Sequence, residues 1–337
     1  MKVDVLDYLR SRNDVRIRLD DEKRNVLNSS ISLKYGNVKK MCESHGFNYD
    51  SVNRWFSLSS IRRREPSFAF LGKVCGLLGC RIDDFVGGSA ILVGCGNCFQ
   101  ELPRYIEIDD GFYEGFGLYY GDGQNKVGTN EFAFSNTNFG SLNHIMGWFE
   151  KYFRIRKEDF KVYIYRPLGM SRKEAYSKVL ENLDAPESNV KGVYFNRRSR
   201  KVHVIIMIKN AAFKYAFDGM SADLAKRVKS DSLLSSLFLK GYLAAEGNVY
   251  TPSNQRICKI SIGFGSASEF ELLKECLRAM KIEFTTSHSM NRERTKEYPK
   301  IEIHKKDSVL RLYRISGFGP NNERQSKFGE AVKYIGG

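Results

Sequence analysis

The chain has 337 residues, 42% hydrophobic and 13% aromatic, enough to build two or three cored domains and too apolar for a chain disordered throughout. Its 54 Lys and Arg against 39 Asp and Glu give a formal net charge of +15, spread along the whole length, so a polyanion is the expected partner and nucleic acid ranks before an anionic membrane. There is no run of eighteen apolar residues and no apolar stretch after Met1, and the seven cysteines lack disulfide-scaffold spacing; these features read against membrane spanning and secretion and for reduced thiols in a cytoplasmic setting.

Residues 1–30 are polar and charged, with Val5, Leu6 and Leu9 spaced for one short helix. Residues 31–86 read as a series of helices. The first, Asn37 to His45, is periodic through Val38, Met41 and Cys42 and broken by Gly46. Asn48 opens a second over Tyr49 to Phe56, and Ser67 caps a third through Leu71, Val74 and Leu78 to Gly79. A last turn holds Ile82, Phe85 and Val86, and Gly87-Gly88-Ser89 marks a boundary. This predicts a helical domain over 1–90 and a linker over 91–104.

Beyond residue 105, helices alternate with β-rich runs. Strands are predicted at 129–136 and 160–165, a helix at 142–153, a hairpin of 193–195 with 202–208, and helices at 211–217 and 221–229. The order then recurs: a strand at 257–264, a helix at 268–280, a hairpin of 283–287 with 300–304, and a helix at 308–315. The reading is an α+β fold of two pseudo-symmetric αββαββα halves, 105–230 and 231–337.

The segment from Asn37 through Gly46 and Asn48 to Trp55, with Pro66-Ser67 and Leu78-Gly79-Cys80 following, resembles the Cro/λ-repressor helix-turn-helix family over about fifty residues, 31–86. Met41, Cys42, Gly46 and Val52 suit the packing of two helices at a steep angle. Tyr49, Asp50, Asn53 and Arg54 are then the candidates for the major groove, and Asp50 must meet a cytosine amino group or lie off the DNA. A helical adaptor that binds protein is the competing reading.

Two segments carry one pattern: Gly115-Phe-Gly-Leu-Tyr-Tyr-Gly-Asp122-Gly123 and Leu239-Lys-Gly-Tyr-Leu-Ala-Ala-Glu246-Gly247. Gly117 and Gly121 lie four apart, as do Gly241 and Ala245, so two helices can approach closely along one seam. Close approach fixes the separation of Asp122 and Glu246 at the helix C-termini, where the dipole already gathers negative potential. A carboxylate there is unfavourable without a cation, and two side by side suit a hard divalent ion held by oxygen ligands.

The pair resembles LAGLIDADG homing endonucleases over roughly 105–337. That resemblance implies a β-saddle on double-stranded DNA, with Mg²⁺ or another divalent cation held by Asp122, Glu246 and the carbonyls of Gly121 and Ala245. It implies a basic residue beside the metal in each half, with Lys209 the candidate in the first and His304, Lys305 and Lys306 in the second. Arg197, Arg198, Arg200 and Lys201, and Arg292 and Arg294, suit phosphate contacts; Asn130, Asn136, Gln255, Arg256, Lys259 and Ser261 are candidates for the DNA-facing sheet. The implied activity is site-specific, metal-dependent cleavage of both DNA strands by a monomer, in the service of intron mobility. The alternatives are a non-catalytic DNA-binding regulator, as in WhiA-like fusions of the same two domains, and a maturase that binds structured intron RNA. Cys95-Gly-Asn-Cys98 has zinc-like spacing and could be joined by Cys75 and Cys80, but those two fall on an apolar helix face where a small hydrophobe belongs.

Overall fold

The computed structural model describes residues 1–57, 64–86, 88, 90–95, 98–124, 131–251, 258–290 and 297–336. The chain divides into two compact units: an amino-terminal unit of Lys2–Glu107 with Lys209–Met220, and a motif unit of Ile108–Ile208 with Ser221–Gly337, to which Met1 also belongs.

The amino-terminal unit contains β1 (Lys2–Asp4), β2 (Arg16–Ile17), α1 (Asp21–Tyr35), α2 (Val38–His45), α3 (Tyr49–Asn53), α4 (Phe68–Leu78), β3 (Ala90–Cys95), β4 (Cys98–Pro103) and β5 (Tyr105–Glu107). Asn37, Asn48 and Ser67 each accept a backbone N–H in the first turn of α2, α3 and α4, the capping their side chains were expected to provide. Gly46 ends α2 at φ +67°, a left-handed conformation that glycine adopts without strain. The helix predicted over Tyr49 to Phe56 is shorter than expected: α3 stops at Asn53, and Arg54–Phe56 tighten into a 3₁₀ turn.

Two features of this unit depart from the sequence reading. α1 is a full helix of 15 residues where only a polar segment was expected. Its inward face is Arg24, Leu27 and Ile31, so one of three core positions is charged and the apolar period is hidden. Arg24 is only 4% exposed; it donates to the carbonyls of Leu19 and Trp55 and pairs with Glu65, which satisfies its buried guanidinium. Most of the stretch 91–104, expected as a linker, lies in strands: β3 and β4 pair antiparallel, and β3 joins β2 in a three-stranded sheet. Ile91, Val93 and Leu102 bury one face of it; alternation this short is easily read as loop.

The motif unit begins with α5 (Asp110–Asp122), β6 (Gly123–Gln124), β7 (Glu131–Asn136), α6 (Phe139–Phe153), β8 (Lys161–Arg166), α7 (Arg172–Asn182), β9 (Val190–Phe195) and β10 (His203–Lys209). α8 (Ala211–Val228), whose residues through Met220 belong to the amino-terminal unit, follows as one helix where two were expected. The second series is α9 (Ser232–Glu246), β11 (Gly247–Tyr250), β12 (Lys259–Ile262), α10 (Ala267–Ala279), β13 (Thr285–Met290), β14 (Glu297–Ile303), α11 (Lys306–Ile315) and α12 (Asn322–Gly336). From α9 to α11 the order is αββαββα; from α5 to α8 it carries α7 and β9 in addition.

The first series forms a five-stranded sheet in the order β6-β7-β10-β8-β9, the second a four-stranded antiparallel sheet in the order β11-β12-β14-β13. The hairpin of 193–195 with 202–208 does not form. β9 pairs parallel with β8 through the crossover helix α7, and β10 pairs antiparallel with the other edge of β8. The basic segment between β9 and β10 therefore spans the end of β8. Phe132, Phe134, Val162, Ile164, Val204 and Ile206 are buried on one face of this sheet.

Candidate active site at the paired helix ends

α5 and α9 lie against each other with their backbones in contact, and the small residues of the two motifs make that possible. A Cβ built on Gly117 would stand 1.9 Å from the carbonyl oxygen of Phe238, and one on Gly241 would stand 1.8 Å from that of Glu114. Four residues on, a Cβ on Gly121 would stand 2.6 Å from the Cβ of Ala245. All four predicted seam residues are thus brought together. Across the seam the Lys240 ammonium donates to Glu114 at 2.8 Å. Gly115 serves a different purpose, since a Cβ there would collide with the indole of Trp148 on α6.

Each helix ends at its acid, with Gly123 and Gly247 turning into β6 and β11. The seam holds these ends side by side: a Cβ on Gly121, next to Asp122, would lie 3.4 Å from Cγ of Glu246. Asp122 accepts from Asn136 Nδ2 at 2.6 Å, which places Asn136 of β7 at the site. Burial, and then the charge of Glu246, push the Asp122 carboxyl up to about 7, against the pull of Arg324 and Asn136. Burial also raises Glu246; Arg324 opposes this and Glu269 adds to it. Two half-buried carboxylates therefore share one place, with Arg324 the positive charge acting on both. The all-oxygen donors fit a divalent cation of the Mg²⁺ class, with Asp122 and Glu246 as its holders.

Arg324, on the first turn of α12, is the residue the sequence reading missed. Its Nη1 donates to the carbonyls of Ala244 and Ala245, at 2.7 and 2.5 Å, and its charge acts on both acids. Asn321 donates to Ala244 O as well and caps α12 through Arg324 N. The C-terminus of α9, whose final carbonyls lack intrahelical partners, is thus closed by side chains lying almost eighty residues later. Ala245 O, a candidate metal ligand, is engaged by this guanidinium. An Asn-x-x-Arg at a helix start is too common a pattern to have marked the residue.

His304, Lys305 and Lys306 are exposed where β14 gives way to α11, and Lys305 pairs with Glu283. Lys209 is exposed at the end of β10, in the stretch of chain assigned to the amino-terminal unit. Tyr49, Asp50, Asn53 and Arg54 are all exposed, around the short α3. Arg197, Arg198, Arg200 and Lys201 are exposed, with Lys201 paired to Glu323 at 3.1 Å. Lys259 and Ser261 share the outward face of β12, where Lys259 pairs with Glu302. Asn130, Gln255, Arg256, Arg292 and Arg294 lie outside the described residues. Among the described residues no group of three or more His, Cys, Asp and Glu side chains gathers, at the helix ends or elsewhere. Cys75 and Cys80 touch through a thiol-to-carbonyl bond, and burial raises the Cys75 thiol.

No family model and no curated protein matches the chain. Among solved structures it is similar to full-length DUF199/WhiA from Thermatoga maritima at 12% identity and a TM-score of 0.39, covering 67% of this chain and 60% of that one. The chain thus spans less than two thirds of that protein's length. It is similar to the homing endonuclease I-WcaI bound to its DNA recognition sequence, at 14% identity and a TM-score of 0.41, over 65% of this chain and 86% of that one. It is similar also to I-DmoI in complex with DNA and Ca, at 13% identity and a TM-score of 0.32, over 66% and 98% of the two chains. No helix among the described residues is long and apolar enough to cross a membrane.

Proposed function

We propose that this protein is a metal-dependent endonuclease that cuts double-stranded DNA at the ends of α5 and α9. The observation that carries the reading is the pairing of Asp122 with Glu246 on abutting helices, at a cost in charge repulsion that a packing device does not require. When bound, a divalent cation supplies a water activated for attack on phosphorus and stabilises the leaving oxygen. The chain's own residues fix the carboxylates: the glycine seam sets their spacing and Asn136 orients Asp122. Arg324 adds a fixed positive charge at the place where a phosphodiester would gain negative charge. The net charge of +15 suits a DNA backbone. In this reading the amino-terminal helices act as a helix-turn-helix through Tyr49, Asp50, Asn53 and Arg54 and add affinity by linked binding. Mg²⁺ as the ion, action as a monomer and a role in intron mobility belong to the same proposal.

The test is cleavage of supercoiled and linear duplex carrying the DNA that flanks the gene, with Mg²⁺ and with chelator. Asp122→Asn and Glu246→Gln are expected to abolish cutting while DNA binding survives; cutting by both variants would mean that the site is misassigned. A second reading, a non-catalytic DNA-binding regulator, is favoured by Arg324: a resident guanidinium gives the acid pair a counter-charge without metal and occupies Ala245 O. That reading predicts DNA binding indifferent to chelator and no nicking under any condition.

A further inference from the structure

The outward faces of the two sheets in the motif unit differ in chemistry. In the second series that face is charged and internally paired, with Glu302 of β14 bridged by Lys259 at 2.6 Å and Lys300 at 2.9 Å. In the first series it is aromatic. Val162 and Ile164 turn inward on β8, so Tyr163 and Tyr165 turn outward, as strand alternation requires. Tyr165 lies opposite His203 of β10 on one side and Tyr194 of β9 on the other.

These four rings form a ladder across three adjacent strands. Centroids are 5.9 Å apart for Tyr165–His203, 5.5 Å for Tyr165–Tyr194 and 6.4 Å for Tyr163–Tyr194, with interplanar angles of 37°, 32° and 33°. The rings lean together rather than meeting edge to face. Gly192, opposite Tyr163, makes room for this: a Cβ there would stand 2.7 Å from the Tyr194 hydroxyl, so the Tyr194 ring folds back over the glycine. Tyr194 remains 45% exposed, and the hydroxyls of Tyr163, Tyr165 and Tyr194 have no hydrogen-bond partner among the described residues. Cations flank the ladder. Lys161 is on the same face beyond Tyr163, and the exposed Arg197, Arg198 and Arg200 lie on the segment that spans the other end of β8.

Paired bases in a duplex present only their edges, which a row of inclined rings reads poorly. Unpaired bases present π-faces that stack on such rings whatever their sequence, while flanking cations hold the phosphates. We infer that the outward face of β10, β8 and β9 binds single-stranded nucleic acid, with Tyr163, Tyr165, Tyr194 and His203 as a base-stacking platform. This inference does not rest on the acid pair, and it departs from the duplex-facing saddle that the LAGLIDADG resemblance implies for the same face.

The test is fluorescence anisotropy of the full chain with a labelled pyrimidine DNA strand, the matching RNA, an abasic strand of equal length and a duplex hairpin. Tyr165→Ala and Tyr194→Ala are expected to weaken binding of the single strands about 5- to 150-fold each, the range for one lost stacked base, with duplex affinity unchanged. Tyr165→Phe and Tyr194→Phe, which keep the ring, should bind as the wild type does. The abasic strand should bind the wild type at least as weakly as the intact strand binds either alanine variant. Comparison of the RNA and DNA arms identifies which source of unpaired bases is held more tightly. Binding is read without added divalent metal, where no cutting is expected, so failure of the nuclease reading would not imitate failure here. Equal binding of intact and abasic strands, or a parallel loss of duplex binding in the alanine variants, would overturn the inference.

Discussion

The glycine seam makes the sharpest prediction. In Gly117→Ala the new methyl group arrives 1.9 Å from the Phe238 carbonyl oxygen, where ordinary contact begins at 3.4 Å. The obstacle is helix backbone and cannot rotate away, so α5 and α9 must part by about 1.5 Å, which forfeits a large share of the dispersion contacts along the seam. Overpacking of this kind costs about 1–3 kcal/mol, and the rigid obstacle puts it at the upper end; the helix propensity of Ala returns about 1 kcal/mol, leaving a net loss of about 2 kcal/mol. Gly147, inside α6 with nothing within 4 Å of its built Cβ, is the control, and Gly147→Ala should gain about 0.5–1 kcal/mol. The chain has two tryptophans, Trp55 in the amino-terminal unit and Trp148 in the motif unit. In a Trp55→Phe background, urea unfolding followed by fluorescence therefore reports the motif unit alone. Calcium binding read by calorimetry should weaken in Gly117→Ala even where the fold survives, because the acids part with the helices. A Gly117→Ala protein as stable as Gly147→Ala would refute close contact between the two helices and, with it, the spacing of the acid pair.

Asp122 has an ordinary carboxyl value of 3.8, raised in the fold to about 7, so the folded state holds this proton more tightly than the unfolded chain does. Its contribution to metal-free stability is present in full below about pH 4 and is lost as pH rises through 7, by at most about 4 kcal/mol. Thermal melts from pH 4 to 8 should show this slope, Asp122→Asn should flatten it, and added Ca²⁺ should recover stability at the alkaline end. Arg324→Ala strips charged donors from the end of α9 and a counter-charge from both acids, and is expected to cost about 2–3 kcal/mol in urea unfolding, with Arg324→Lys restoring part of it. An Arg324→Ala protein of unchanged stability would show that the guanidinium contributes nothing to the helix end.

The sequence by itself determined the parts whose causes are local. Asn37, Asn48 and Ser67 started helices because their side chains reach a backbone N–H three residues on. The two motifs announced a close helix pair because small residues four apart, in two copies, leave room for a partner backbone, and the acids at their ends came with them. What tertiary structure alone decided lies where the cause is distant along the chain. Arg24 sits in the core because the carbonyls of Leu19 and Trp55 and the carboxylate of Glu65 converge on it, so a charged letter hid a helix. β9 and β10 are separated by β8 because α7 carries the chain over the sheet, which no turn signal between them could show. Arg324 reaches the acid pair only because α12 returns to the end of α9, and the tyrosine ladder exists only because β8 and β9 run in parallel register. Local hydrogen bonds and spacing are written in adjacent residues, whereas the electrostatic partners of a buried charge and the neighbours of a strand are set by which distant segments close around them.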